Sequence, residues 1–301
     1  MNSWERYIKN FVSYLKIEKG LSENSIFAYQ QDVQKLHRFC QDITAAVTDI
    51  RLDTLKDFIR ELAELGISAR SQARIISGIK QFFHFLALED VLTNDPSELL
   101  EMPAIGRKLP EVLTIEEVDQ LIGAIDLSKN EGHRNRAILE TMYSCGLRVS
   151  ELVNLKFSDL FFDDGFIRVT GKGNKQRLIP VSEQVEKEIL IYTTNFRKHQ
   201  TPHPGDENIV FLNRRGARLT RVMIFTIIKD LAQRTGLVKN ISPHTFRHSF
   251  ATHLLEGGAN LRAIQEMLGH ESIITTEIYV HLDQSYLREA IISCHPRNKS
   301  Y

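Results

Sequence analysis

Several features that would steer a reading toward a secreted, membrane-bound or thiolate-metal protein are scarce in this sequence. It has 3 cysteines in 301 residues, Cys40, Cys145 and Cys294. They are odd in number, widely spaced and form no C-x-x-C pair, which argues against a disulfide framework and against a thiolate zinc site. Such usage fits a reducing cytoplasm. No apolar run approaches the ~20 residues of a membrane span, and the opening MNSWERYIKN carries charges where a secretory signal needs an apolar stretch. An excess of charge is missing too: 38 Lys plus Arg balance 38 Asp plus Glu. A surface for nucleic acid therefore has to come from uneven placement of charge. What the chain does have is length and 42% hydrophobic residues, enough for one large core or two modest ones, with two domains the better expectation.

The first hundred residues read as helices. Trp4, Tyr7, Ile8, Phe11, Tyr14 and Leu15 recur at helical spacing and stop at Gly20. Ser22 can cap a second helix carrying Ile26, Tyr29, Val33, Leu36 and Phe39; Asp53 opens a third with Leu55, Phe58, Ile59 and Leu62, and a fourth follows Ser68. Arg70, Arg74 and Lys80 give this last helix a basic edge, open to two readings, a DNA-backbone contact or a solvated face. The helical period stops in NDPSELLEMPAIGRKLP, residues 94–110. The expected organisation is a helical domain over 1–102, a linker over 103–110 and a second domain over 111–301.

In the second domain Thr114 and Glu117 spell a capping box. A helix from about Arg134 to Ser144 should end at Gly146, with Arg148 at the junction to another over Leu147 to Leu155. FIRVTGKGNKQRLIPV, residues 166–181, has the pattern of a β-hairpin with Lys172 at its tip. Helical patterns resume at Glu183 and at Thr220, with a second small hairpin expected over 209–219. The fold class is mainly α with a small β-hairpin or sheet.

The densest chemistry lies between Ser242 and His281. Ser242 and Pro243 mark a helix start, and His244, Arg247 and His248 share one face of its first turns, where free N–H groups and the positive end of the dipole suit a phosphate. Gly269 can adopt a left-handed cap that turns His270 back toward the same side. Tyr279 follows. A tyrosine hydroxyl, with a free pKa of about 10, needs a base or a strongly electropositive setting to attack at neutral pH; His244 and the arginines can supply both. Paired arginines suit the charge that develops on a phosphodiester, a lysine on a hairpin tip can protonate the leaving alkoxide, and Glu151, one helical turn from Arg148, can orient its guanidinium. This scheme calls for no metal and no cofactor.

Each of these residues also has an ordinary structural role. His253 is expected to make a local hydrogen bond, and His248 either supports the helix or Tyr279 or touches the phosphate. A zinc helix is disfavoured because Thr245 stands where H-E-x-x-H needs glutamate, and GKGNK lacks the spacing of a nucleotide-binding loop. The weight comes from the joint pattern.

The strings GLRVSEL, GKGNKQR, SPHTFRHSFATHLL, LGH and TTEIYVH resemble, in order and spacing, the motifs of the tyrosine recombinase (phage-integrase) family, the bacterial Xer group in particular. LSENSIFAYQQDV extends the likeness to the family's N-terminal SAM-like domain. The resemblance implies that Arg148 and Arg247 bind the phosphate, Lys172 is the general acid, His244 and His270 are the two histidines, Tyr279 is the nucleophile and Glu151 supports Arg148. It further implies strand exchange on double-stranded DNA through a 3′-phosphotyrosyl link and a Holliday junction, in a tetramer with a second Xer recombinase or with copies of the chain. Resolution of chromosome dimers at cell division, with a septal DNA translocase as a possible activator, belongs to the same expectation. The amphipathic tail over 285–301, with Leu287, Ala290 and Ile291, would dock on a neighbouring protomer, so that its deletion leaves the monomer folded. Two other functions share these residues, a DNA-binding accessory protein without chemistry and a topoisomerase-like relaxer of supercoils.

Overall fold

A computed structural model describes residues 3–106, 111–269 and 285–298, apart from the side chains of Lys172, Ser285 and Tyr286. The chain forms two compact units, Met1–Lys108 and Leu109–Tyr301.

The first unit contains α1 (Ser3–Ile17), α2 (Glu23–Asp42), α3 (Leu52–Glu64) and α4 (Ala69–Leu88). Ser22 and Ser68 cap α2 and α4 through their side chains. The third helix begins one residue ahead of Asp53, with Arg51 at the cap making no side-chain bond; Asp53 serves instead as the first-turn carboxylate that complements the dipole. The core is aromatic: Phe11 and Phe82 meet edge to face at 5.3 Å, and Trp4 stacks on His37 at 4.9 Å. One charge is buried among them. Asp32 on α2 is fully buried and accepts a bidentate pair from Arg74 on α4, at 2.5 and 2.7 Å. Gly78 permits this approach, because a Cβ there would stand 2.9 Å from the Asp32 carboxylate. The basic edge of α4 is thus partly spent inside the unit, Arg74 on Asp32 and Lys80 on the Glu98 carbonyl at 3.2 Å.

The second unit contains α5 (Ile115–Gly123), α6 (Asn130–Cys145), α7 (Val149–Val153), β1 (Leu160–Phe161), β2 (Phe166–Thr170), β3 (Gln176–Pro180), α8 (Glu183–Asn195), α9 (Arg221–Thr235), α10 (Pro243–Glu256), α11 (Leu261–Leu268) and α12 (Ser285–Cys294). The capping box of Thr114 and Glu117 is present. Helix α6 starts a turn earlier than its apolar pattern suggests, where Gly132 packs so close to the Asp126 carbonyl that a Cβ would clash at 2.2 Å. The strands form one antiparallel sheet in the order β1-β2-β3, with Ile167 opposite Ile179 and Val169 opposite Arg177. The two-residue β1 extends the hairpin. In place of a regular second hairpin, residues 209–219 take part in two isolated bridges, Ile209 with Lys156 and Leu212 with Arg218, and side chains take up part of the backbone bonding: Asp206 accepts from the Arg218 amide at 2.8 Å and Asn213 from the Arg215 amide at 2.8 Å.

The main core of this unit gathers α5, α6, the sheet, α8 and α9 around Tyr143, Phe211 and Phe246. A smaller cluster joins Phe250 and Leu254 of α10, Ile264 and Met267 of α11, and Leu287, Ala290 and Ile291 of α12. The tail helix therefore lies on its own chain in this monomer. Beyond it, His295 is fully buried and Arg297 donates to Glu140 at 2.9 Å and to Asp119. Deleting the tail would uncover Phe250 and Leu254 and strand the buried Glu140, so the deletion expected from the sequence to be harmless to folding should instead destabilise the unit. Among the described residues no helix is long and apolar enough to cross a membrane.

Candidate active site

Gly146 ends α6 in the left-handed conformation, φ 58°, and leaves no room for a Cβ, which would stand 2.4 Å from the Phe250 ring. This turn delivers Arg148 as the N-cap of α7. The Arg148 amide donates to Glu151 Oε2 at 2.8 Å, its Nη1 donates to Glu151 Oε1 at 2.9 Å, and its Nη2 reaches the Gly269 carbonyl at 3.1 Å. Glu151 is buried. It accepts from both the backbone and the guanidinium of Arg148.

Helix α10 is capped by Ser242, which accepts from the Thr245 amide, with Pro243 in the first turn. His244 is exposed on that turn and His248 is half-buried. Arg247 is buried and donates to the carbonyls of Gly146 at 2.6 Å and Leu268 at 2.5 Å. Burial, and after it the charge of Arg148, pushes Arg247 down to about 10. Asn260 caps α11 and Gly269 ends it with φ 63°. Two guanidiniums from distant parts of the unit therefore converge on the last carbonyls of α11, where a helix C-terminus welcomes cations.

A third joins them that the sequence reading missed. Arg177 on β3 donates from Nη1 and Nη2 to the two oxygens of Glu151, each at 2.8 Å, and from Nε to the Met267 carbonyl at 2.7 Å. Burial would raise the Glu151 carboxyl, but Arg177 first and Arg148 second hold it below its ordinary range. The signal for Arg177 was a lone charged residue inside the otherwise apolar end of a strand, RLIP. Around one carboxylate there are three guanidiniums, a surplus of cation among the described residues.

Lys172 occupies the turn between β2 and β3, closed by the Gly171 amide donating to the Lys175 carbonyl at 2.7 Å, with Gly173 and Asn174 at φ 70° and 61°. His270 and Tyr279 lie outside the described residues; the chain enters that segment at Gly269, which Arg148 holds. His253 bonds through Nδ1 to the Tyr143 hydroxyl at 2.8 Å, a local role. Among the described residues no three His, Cys, Asp or Glu side chains are placed to hold a metal.

Together these features define a mainly helical two-unit protein in which Arg148, Arg177 and Arg247 meet at the end of α11, ten residues ahead of Tyr279 in the sequence. Residues 111–285 match the Phage integrase family and residues 8–90 match the Phage integrase, N-terminal SAM-like domain. The chain belongs to the phage integrase family, the tyrosine recombinases. It is 43% identical to the tyrosine recombinase XerD of Staphylococcus haemolyticus (strain JCSC1435), over 97% of this chain and 99% of that one. The crystal structure of XerA recombinase is 32% identical, with a TM-score of 0.50, covering 98% of this chain and all of that one. The XerH site-specific recombinase bound to difH substrate in a pre-cleavage complex shares the fold at a TM-score of 0.68 and 23% identity, with 93% of each chain covered.

Proposed function

We propose that the chain is a site-specific recombinase that cleaves and rejoins DNA through Tyr279. The observation that carries this reading is the convergence of Arg148 and Arg247 on the end of α11, at Gly269 and Leu268, immediately ahead of His270 and Tyr279 in the sequence. The Tyr279 oxygen attacks the scissile phosphorus, a new P–O bond forms, and the bond to the 5′-oxygen breaks. Arg148 and Arg247 hold the non-bridging oxygens as charge builds on them, and because they are fixed beforehand the stabilisation costs no reorganisation at the moment of reaction. His244 and His270 assist the phosphate grip, with His244 receiving the tyrosine proton, while Lys172 protonates the departing 5′-oxygen. Attack of a 5′-hydroxyl from another strand on the phosphotyrosyl link reverses these steps and passes through a Holliday junction. Charge is handled by guanidinium, so the scheme needs no cofactor.

The substrate is double-stranded DNA carrying a recombination site, engaged by a tetramer that contains a second Xer recombinase or further copies of this chain. Full-length similarity to XerD supports resolution of chromosome dimers at cell division, in the cytoplasm, with a septal DNA translocase as activator. The unit over 1–102 grips the core DNA, residues 103–110 link it to the catalytic domain 111–301, and the tail over 285–301 exchanges its contacts on its own chain for the same contacts on a neighbour. Nicked suicide duplexes with a randomised core provide the test. The wild-type chain should form a covalent protein–DNA adduct of defined sequence and Tyr279→Phe none. An adduct that survives in Tyr279→Phe, or supercoil relaxation with no recombinant product, contradicts the proposal.

A further inference from the structure

Arg177 joins three separate pieces of the site through one side chain. Its strand, β3, follows directly on the turn that carries Lys172. Its fork holds Glu151 at 2.8 Å on both oxygens, and Glu151 in turn holds Arg148 at 2.9 Å. Its Nε holds the Met267 carbonyl at 2.7 Å, at the end of the helix that leads into His270 and Tyr279. The packing is as close as the bonding: a Cβ at Gly269 would stand 3.2 Å from Arg177 Cδ and Nη1. The side chain is only 11% exposed, so these contacts are made in a partly water-excluded place where geometry counts most.

Charge leads to the same residue. Glu151 Oε1 accepts from both Arg148 and Arg177. Without Arg177 the buried carboxylate would keep Arg148 as its one hydrogen-bonded cation among the described residues, and the positive charge that Arg148 offers to a phosphate would be cancelled by its own support. With the Arg177 fork on both oxygens, the carboxylate is neutralised and still orients Arg148. A lysine could restore the charge but could not hold two oxygens and a carbonyl at once.

We infer that Arg177 is a positioning residue for strand cleavage: it neutralises Glu151 so that Arg148 keeps its charge for the phosphate, and it ties the Lys172 hairpin to the segment entering His270 and Tyr279. The inference rests on the recombinase reading above and names a residue that acts through others, without touching the DNA.

The test measures single-turnover adduct formation and DNA affinity in parallel for the full-length chain, Arg177→Ala and Arg177→Lys, each also in a Glu151→Gln background. Arg177→Ala should slow adduct formation by about 10- to 100-fold, as misplacement of reacting groups does, with affinity changed by no more than about threefold. In the Glu151→Gln background the same substitution should cost less than about threefold, because the charge it acts upon is gone. Arg177→Lys should fall between wild type and Arg177→Ala, and it carries the same comparison if the alanine variant does not fold. Equal slowing in both backgrounds, no slowing, or losses of rate and affinity that only follow the folded fraction would overturn the inference. A wild-type chain that forms no adduct would instead defeat the recombinase reading. In that event amide exchange decides the anchoring separately: the Gly171 amide should exchange faster in Arg177→Lys than in wild type, and unchanged exchange overturns it.

Discussion

The second unit holds two groups of arginine and carboxylate that differ in their balance. At the tail, Arg297 donates to Glu140 and to Asp119 and lies 5.4 Å over the Tyr143 ring, one cation against two anions. At the end of α11, Arg148, Arg177 and Arg247 surround Glu151, three cations against one anion among the described residues. The two settings act on their arginines in opposite directions. Burial works against both, but Glu140 and Asp119 hold Arg297 above its ordinary range, whereas the neighbouring guanidiniums help to push Arg247 down to about 10. In the first group the cation is fully matched within the chain and serves to fasten the tail. The second carries a surplus of cation among the described residues, and under the proposed function a phosphodiester completes it.

The largest expected effect breaks the first group. Arg297→Ala should cost about 3 to 5 kcal/mol in denaturant unfolding, because it leaves the buried Glu140 without its cation. Adding Glu140→Gln should recover part of that loss; no recovery would mean that packing, not charge, holds the tail. In the second group, Arg148→Ala or Arg247→Ala should each cost about 2 to 4 kcal/mol of transition-state stabilisation, read as adduct formation, with DNA affinity changing much less. Equal losses in rate and affinity would contradict the phosphate-gripping role.

A smaller effect is set by pH. His295 accepts from the Arg297 amide through Nδ1 at 3.2 Å and donates from Nε2 to the Tyr143 carbonyl at 3.3 Å, a pattern only the neutral ring can make. Burial, aided by the charge of Arg297, pushes it down to about 3 from an ordinary 6.5. Between those values the unfolded chain binds a proton that the folded chain refuses, so stability falls as pH falls, by about 1.4 kcal/mol per pH unit. Unfolding midpoints compared at about pH 7 and pH 5 should show a loss of about 2 kcal/mol that His295→Gln largely removes. A loss of the same size in His295→Gln would place the acid sensitivity elsewhere.

What could be read from the sequence was what local rules determine. Ser22, Ser68, Thr114 and Ser242 were legible as helix starts because a cap is decided within four residues, and Gly146 and Gly269 as helix ends because a left-handed turn demands so little side chain. The β2–β3 hairpin was legible from its β-branched runs and glycine-bearing turn. Pairings between distant residues were not. Nothing near Arg74 indicates that Asp32, two helices away, takes its charge, and nothing in GNKQR shows that Arg177 reaches Glu151. The tail looked like any amphipathic run, and only its packing against Phe250, together with the burial of His295, shows that it covers its own chain. Of the candidate site, Arg148, Arg247 and Glu151 meet near the end of α11, His244 faces solvent on the first turn of α10, and Lys172 lies in the hairpin turn.

One measurement sets the two groups directly against each other: adduct formation per folded molecule, with unfolding free energy beside it, for Arg148→Ala and Arg297→Ala. Arg148 is the cleaner probe on the site side, because Arg177 keeps Glu151 paired when Arg148 is removed. Arg148→Ala should lose adduct formation by about 30- to 1000-fold while unfolding within about 1 kcal/mol of wild type, and Arg297→Ala should do the reverse. An Arg148→Ala protein that forms adduct at the wild-type rate would contradict the claim that the surplus of cation at the end of α11 exists to receive a phosphate.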